Sequence, residues 1–314
     1  MKIIALMPVK NEALFLGTSL SALKKIVDEI IILDDSSSDN SVEIANTFGC
    51  YIFSYKFSNE KFVDMSFRRQ LLLNKGREHG GTHFVWLDGD ESFSANFLNI
   101  ARKKILDLKP GQKMLLLWVT LWKTYEKYVV DNSAYAGLFK DFVVCDKPNM
   151  SFNKNFLSES RTPSPTDEIV KISPIDGVVL HFQFISWYKN QLKQAWYRCS
   201  ELIEGSRSAK RINNTYRITL DDKKIKTKEI PKEWIRGLIF PDGAENMHNS
   251  WHFNAILNFF DKYGIQFFEP LQIWHIDKLH YEFLKRTGRE PKIKTFCSFL
   301  VYLNDIKNNL KNKI

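Results

Sequence analysis

Along the first half of the chain, short unbroken apolar runs alternate with segments whose apolar residues recur at helical spacing. Residues 2–7 form one such run, the pattern of a strand covered on both faces. Leu16, Leu20, Leu23 and Val27 then share one helical stripe. Residues 29–33 and 51–53 read as further strands. Between them Asp39 or Asn40 can cap a helix, with Glu43 placed to complete a capping box. A helix is predicted over 65–78, ended by the turn His79, Gly80, Gly81, and strands over 83–87 and 114–119. Strands alternating with helices predict a mostly parallel α/β sheet with right-handed crossovers.

From 145 to 176 the pattern gives way to Pro, Ser and Asn, the signature of a long loop region. A strand over 178–182 and a helix over 185–203, rich in Trp and Tyr, follow. The expected organisation is an α/β domain over 1–204, a basic linker over 205–231 and a mainly helical C-terminal region over 232–314. No internal repeat is visible.

With 314 residues, 44% of them hydrophobic, the chain has enough apolar surface for one large domain or two modest ones. Its net charge of +9 suits an anionic partner: nucleic acid, a phosphorylated substrate or an acidic membrane face. Cys50, Cys145, Cys199 and Cys297 lie far apart with no CxxC pair, so reduced core thiols are expected rather than a disulfide framework or a zinc knuckle. No secretory signal is visible, and the strongest apolar runs, 114–122 and 296–303, fall short of the ~20 residues a spanning helix needs. The expected location is cytoplasmic.

Ligands of an open parallel sheet bind at the carboxyl ends of its strands. Three predicted strands end in polar clusters: Pro8, Lys10, Asn11 and Glu12; Asp34, Asp35 and Asp39; Asp88, Asp90 and Glu91. Any one of these serves equally well as a turn or cap. Together at one edge they concentrate negative charge that only a cation or hydrogen-bond donors can relieve. Asp88 and Asp90, one residue apart after an apolar strand, can address one hard divalent ion, with Gly89 allowing close backbone approach. Mg2+ or Mn2+ takes one or two protein carboxylates and completes its shell with water and phosphate oxygens.

These segments resemble the family 2 glycosyltransferases of GT-A fold. MPVKNEALFL is similar to the family's opening P-x-Y-N-E segment, with Lys10 replacing the aromatic residue. DEIIILDDSSSDNSVEIANTFG resembles D-E-I-V-V-V-D-D-G-S-x-D-x-T, with Ser36 where the family has glycine, so the turn need not take a glycine-only conformation. FRRQLL resembles the R-N segment before the metal strand, and WLDGDE the W-L-D-A-D-E metal motif. The resemblance covers roughly the first hundred residues. It implies that Pro8, Asn11 and Glu12 line a nucleotide pocket and that Asp34 or Asp35 holds the base or ribose. Arg68 or Arg69 would support the acids or the diphosphate. Asp88 would sit near ribose and metal, and Asp90 would ligate Mn2+ or Mg2+.

A subgroup acting on bacterial surface polysaccharides continues with an R-L-F-R strand, an H-E pair and G-x-L-x-x-x-x-H. Gly137 to Lys140, Glu159 and Gly177 to His181 resemble these. Glu159 would be the general base, with Asp167 and Glu168 as rivals. His181 would touch metal or diphosphate, or serve as a core histidine bonded to backbone. The implied enzyme moves a sugar, with inversion, from a nucleotide-sugar donor to a glycan or lipid-linked acceptor.

Two other classes compete. A nucleotidyltransferase also gathers acids and metal at strand ends, but KNEA stands where a triphosphate loop rich in glycine would be. A nucleic-acid-binding module fits the charge, yet the Lys and Arg residues are dispersed and no module signature is present. His248 and His252 lack the glutamate of a zinc hydrolase motif, Asn249 standing there instead. Phe296, Phe299, Leu300, Leu303, Ile306 and Leu310 form a stripe suited to packing on the protein body or to peripheral attachment at a membrane's inner face.

Overall fold

A computed structural model describes residues 1–55, 65–131, 135–152, 160–205, 207–220, 225–246 and 250–292. The chain divides into two compact units, one of residues 1–190 with 222–249 and the other of 191–221 with 250–314.

The first unit opens with β1 (Ile3–Val9), α1 (Ala13–Leu23), β2 (Glu29–Asp34), α2 (Ser41–Thr47) and β3 (Tyr51–Ser54). Next come α3 (Met65–Glu78), β4 (His83–Trp86), β5 (Glu91–Phe93), α4 (Ala95–Leu106) and β6 (Gln112–Thr120). Then follow β7 (Lys127–Val129), β8 (Leu138–Cys145), β9 (Glu168–Lys171) and β10 (Val178–His181). Helix α5 (Trp187–Glu204) starts in this unit and passes into the second, which holds α6 (Ala209–Thr215). The chain returns to the first unit for β11 (Thr227–Glu229) and α7 (Lys232–Ile235), and ends in the second with α8 (Trp251–Tyr263) and α9 (Asp277–Thr287).

A nine-stranded sheet runs β3-β2-β1-β4-β8-β6-β10-β5, with β9 also on β6. Pairs β1/β2, β1/β4, β2/β3, β6/β10 and β6/β9 are parallel, while β4/β8, β6/β8 and β5/β10 are antiparallel. Alternate residues of the central strands enter different cores. Ile3, Ala5, Met7, Ile30 and Ile32 pack with Leu16 and Leu20 of α1 and Phe97 and Ala101 of α4. Ile4, Leu6, Ile31 and Leu33 pack with Leu72 and Leu73 of α3 and with Phe84 and Trp86. Cover on both faces explains the unbroken apolar runs, since each fully buried Ile or Leu contributes about 1.5–3 kcal/mol.

Several features depart from the sequence reading. The stretch 205–231 contains α6 and β11, the latter antiparallel to β7, so it is folded chain rather than a plain connector. Asn213 of α6 is buried, accepting from the Gln272 amide (2.9 Å) and donating to the Pro270 carbonyl (3.0 Å). Among the described residues of this stretch Arg207, Lys210, Arg211, Arg217, Lys226, Lys228 and Glu229 are exposed, which is why the segment reads as polar. The loop region also contains β9, whose Ile169 is 57% exposed, so no burial pattern marks it. No capping box closes α2: Asn40 makes no side-chain cap bond. Instead Asp39 Oδ1 accepts from the Ser41 amide (3.0 Å) and Oδ2 from the Ala13 amide (3.1 Å), tying α2 to α1.

Cys50, Cys145 and Cys199 are free. Cys297, His248 and the apolar stripe from Phe296 to Leu310 lie outside the described residues. His252 is buried at the start of α8, stacked on Trp251 with Nδ1 2.7 Å from Ser250 Oγ. No helix among the described residues is long and apolar enough to cross a membrane.

Candidate active site

Because β1, β2 and β4 are parallel and adjacent, their carboxyl ends share one edge. Val9 pairs with Asp34 and Leu6 with Trp86, so the chain leaving β4 carries Asp88 to the same end of β1 that Asp34 flanks from β2. Asp34, Asp35 and Asp90 are 4–6% exposed and Glu91 is fully buried. Burying so many carboxylates demands specific partners.

At the end of β2 the partners are mostly local. Asp34 accepts from the Ser37 amide at 3.2 Å, closing the loop as an Asx-type turn. Asn11 accepts from the Ser38 amide (2.7 Å), and the Asn11 amide donates to Ser37 Oγ (2.9 Å). Asn11 and Ser36 both lie in the left-handed region, at φ 54° and 55°. Serine at 36 therefore does not free the turn from the conformation glycine favours; the turn keeps it, and serine bears the strain. Asp35 Oδ2 accepts from Arg68 (2.6 Å) and Lys10 (3.1 Å). Lys10 thus fills the aromatic position with a charge that steadies an acid.

At the end of β4 the partners come from distant strands. Glu91 Oε1 accepts from Trp118 Nε1 and from Arg161 Nη2, both at 2.7 Å, and Oε2 accepts from Arg161 Nη1 and from the Asp88 amide. Arg161 also reaches Asp88 at 3.1 Å and lies over Phe142. Burial opposes its charge, but Asp88 and Glu91 outweigh burial and raise its pKa. Arg69, next to Arg68 but about 100° around α3, turns to this cluster instead. It donates to the Ser160 carbonyl (3.1 Å) and, with Pro8, Asp88 and Arg161, lines a small cavity.

Asp90 Oδ2 stands 3.5 Å from His181 Nε2, and His181 stacks on Trp118 with ring centroids 4.4 Å apart. His181 Nδ1 is buried without a hydrogen-bond partner. Gly89 packs against α1: a Cβ there would come within 2.9 Å of Glu12 Cβ, so the glycine is needed for close approach. Glu12 faces Lys189 at 3.8 Å.

The structure thus brings Pro8, Arg69, Asp88, Asp90 and His181 into one neighbourhood, and Asn11, Asp34, Asp35 and Arg68 into an adjoining one. It does not bring Asp167 or Glu168 there. Asp167 pairs with Lys147, and Glu168 is beside Gln112 at the amino-terminal end of β6, the opposite edge from Thr120 and His181. Glu159 lies outside the described residues.

Trp118 and Arg161 escaped the sequence reading as site residues, while Glu91 and Lys140 entered it only as members of motifs, without a role of their own. Two signals were available: Glu91 closes the WLDGDE motif, and Lys140 is a charge set inside the otherwise apolar strand 138–145.

Among the described residues no group of three His, Cys, Asp or Glu side chains is placed to hold a metal ion. Asp90 with His181, and Asp88 nearby, form the sparser donor set suited to a cation completed by phosphate and water. Donor atoms 3.5 Å apart are close to the ~3 Å separating neighbouring ligands of one such ion.

A mostly parallel sheet with an acid-lined carboxyl edge, closed by the turn from Asp88 to Glu91, is the architecture expected of a GT-A fold. Residues 4–142 match the family described as Glycosyl transferase family 2. The match makes the amino-terminal part of the chain a family 2 glycosyltransferase domain. Residues 149–221 match a model described as phosphatidylserine decarboxylase, but that stretch straddles the division between the two units at residue 190. No curated protein matches the chain in sequence.

Among solved structures, S. aureus TarS 1-349 shares 11% identity over 92% of each chain, with a TM-score of 0.39. The chain covers 54% of a longer S. aureus TarS structure. Glucosyl-3-phosphoglycerate synthase from Mycobacterium tuberculosis, in complex with Mn2+, uridine diphosphate and glucosyl-3-phosphoglycerate, shares 18% identity over 38% of this chain and 44% of that one, with a TM-score of 0.27. The mannosyltransferase PcManGT from Pyrobaculum calidifontis, in complex with GDP-Man and Mn2+, shares 16% over 38% and 35%, with a TM-score of 0.27.

Proposed function

We propose that this enzyme transfers a sugar from a nucleoside-diphosphate donor to a hydroxyl of a glycan or lipid-linked acceptor, with inversion, in surface-polysaccharide synthesis at the inner face of a membrane. The observation that carries the reading is the gathering of Asp34 and Asp35 from β2 with Asp88 and Asp90 after β4, on either side of β1. Asp35 is paired with Arg68 and Lys10 and Asp88 with Arg161, so the edge gathers cations suited to a diphosphate beside acids suited to a metal ion.

In this reading Asp88, Asp90 and His181 hold Mn2+ or Mg2+, which when bound offsets the charge that gathers on the departing diphosphate. Pro8, Asn11 and Glu12 shape the nucleotide pocket. Asp34 and Asp35 accept hydrogen bonds from base or ribose, with Arg68 and Lys10 orienting the Asp35 carboxylate. Glu159 removes the acceptor hydroxyl's proton, a contribution of about 10²–10⁴-fold for a general base. It is the residue before Ser160, whose carbonyl accepts from Arg69.

The test is release of nucleoside diphosphate from a panel of nucleotide sugars in Mn2+, repeated in excess chelator. Release that chelator stops supports the reading; release unaffected by chelator removes the metal from it. Glu159→Gln should lower turnover far more than donor affinity, and unchanged turnover would take Glu159 out of the mechanism.

A further inference from the structure

We propose that Lys140, held on the Trp118 ring beside Arg69 and Arg161, is an anion-contacting residue whose ammonium binds a phosphate oxygen of the donor's diphosphate. The identity of that anion rests on the glycosyl-transfer reading above.

Strand register fixes the sheet face that carries Lys140. Trp118 pairs with Leu138 of β8 on one side and with Val179 of β10 on the other. Residues two apart share a sheet face. Lys140 and His181 are therefore on the same face as Trp118, flanking its indole from opposite sides. Glu91 pairs directly with His181 and accepts from Trp118. A row Lys140, Trp118, His181, Glu91 thus crosses the sheet from β8 to β5. Arg161 links its far end to Asp88.

Within this row Lys140 is the cation left over. Arg161 is consumed by Glu91 and Asp88, and Lys113 pairs with Asp141 at 3.7 Å. Lys140 is half-buried with Nζ 3.2 Å from the Trp118 ring centroid, and among the described residues no carboxylate lies within ion-pair distance of it. An ammonium has three N–H donors, and a ring face satisfies them poorly. Burial, then Arg161 and Arg69, push its pKa down to about 8 against the opposing pull of Glu91 and Asp88. Clustered cations of this kind destabilise the empty site and are relieved by an incoming anion.

The geometry separates this role from a structural one. If Lys140 served only to pack on Trp118, its removal would lower stability and leave anion binding alone. If it awaits an anion, removal relieves repulsion and costs binding.

The experiment is calorimetric titration of the full chain with inorganic pyrophosphate, and separately with inorganic phosphate, UDP and GDP, for wild type, Lys140→Met and Lys140→Arg. Melting temperatures and nucleotide-sugar turnover are measured on the same samples. Lys140→Met is expected to weaken pyrophosphate and nucleoside-diphosphate binding at least tenfold with an unchanged or higher melting temperature, and Lys140→Arg to restore most of the affinity. Binding of inorganic phosphate but of no diphosphate would overturn the assignment to the donor. Equal pyrophosphate affinity in wild type and Lys140→Met would overturn the proposal even if nucleotide-sugar turnover is intact. Lysine-dependent pyrophosphate binding without turnover of any nucleotide sugar would uphold the anion contact while counting against glycosyl transfer.

Discussion

Glu91 is the residue whose loss the architecture should tolerate least. Its two oxygens take four N–H donors: Trp118 Nε1 and Arg161 Nη2 on Oε1, the Asp88 amide and Arg161 Nη1 on Oε2. Glu91→Gln keeps the shape but turns one acceptor oxygen into a donor. Two donors then face an amide N–H2, and the buried Arg161 loses its bidentate counter-charge. Breaking a buried ion pair by removing one partner costs about 3–5 kcal/mol. Arg161 keeps Asp88 at 3.1 Å, with that carboxylate 38% exposed, so the lower end of the range, about 3 kcal/mol, applies. With an m-value near ~3 kcal/mol/M, the urea midpoint followed by circular dichroism should fall by ~1 M. In an Arg161→Met background the same substitution should cost less, by about 1–3 kcal/mol, because the stranded cation is gone. A loss below ~1 kcal/mol in the single variant, or no coupling in the double one, would refute the claim that Glu91 anchors the cluster.

Three further outcomes follow from the same geometry. Ser36→Gly should stabilise the protein by about 0.5–1 kcal/mol in urea unfolding, because a left-handed serine costs more than the added chain entropy of glycine; a destabilisation would mean the serine side chain matters more than its backbone. Gly89→Ala should cost about 1–3 kcal/mol and weaken nucleoside-diphosphate binding, since the new Cβ meets Glu12 Cβ at 2.9 Å and displaces the turn carrying Asp88 and Asp90; unchanged stability and binding would show that the turn yields freely. His83 is buried, and burial lowers its pKa despite a bond to the Leu108 carbonyl. The unfolded chain therefore takes up its proton first, and stability falls as pH drops below about 6.5 toward the folded pKa. In His83→Gln the fall in melting temperature from pH 8 to pH 5 should be smaller; an identical fall would assign it to other groups.

Legibility in the sequence tracked burial on both faces. The strands β1, β2, β4 and β10 and the helix α3 announced themselves because continuous apolar runs and a clear stop at His79 to Gly81 left little choice. Helix α4 went unread: its buried Phe97, Leu98, Ala101 and Ile105 are interrupted by Arg102, Lys103 and Lys104, and it follows a three-residue strand. The division into two units was also illegible, because α5 carries the chain across it without any shift in composition.

At the site, Asp34, Asp35, Asp88 and Asp90 could be read because each ends an apolar run. The residues that organise them could not. Trp118 and Lys140 lie within strands, where they look like core and stray charge. Arg161 lies in a stretch of Pro and Ser that predicts only a loop, and its pairing with Glu91 spans seventy positions, a contact set by strand order alone.

Calorimetric titration of Mn2+ into wild type and Asp90→Ala, each saturated with a nucleoside diphosphate from the tested panel, bears most directly on the central claim. The wild type should bind one ion tightly and the variant at least a hundredfold more weakly, with its far-ultraviolet circular dichroism unchanged. Equal Mn2+ binding by both proteins, or none by the wild type with any diphosphate, would contradict the assignment of this acid cluster to a nucleotide-sugar's diphosphate.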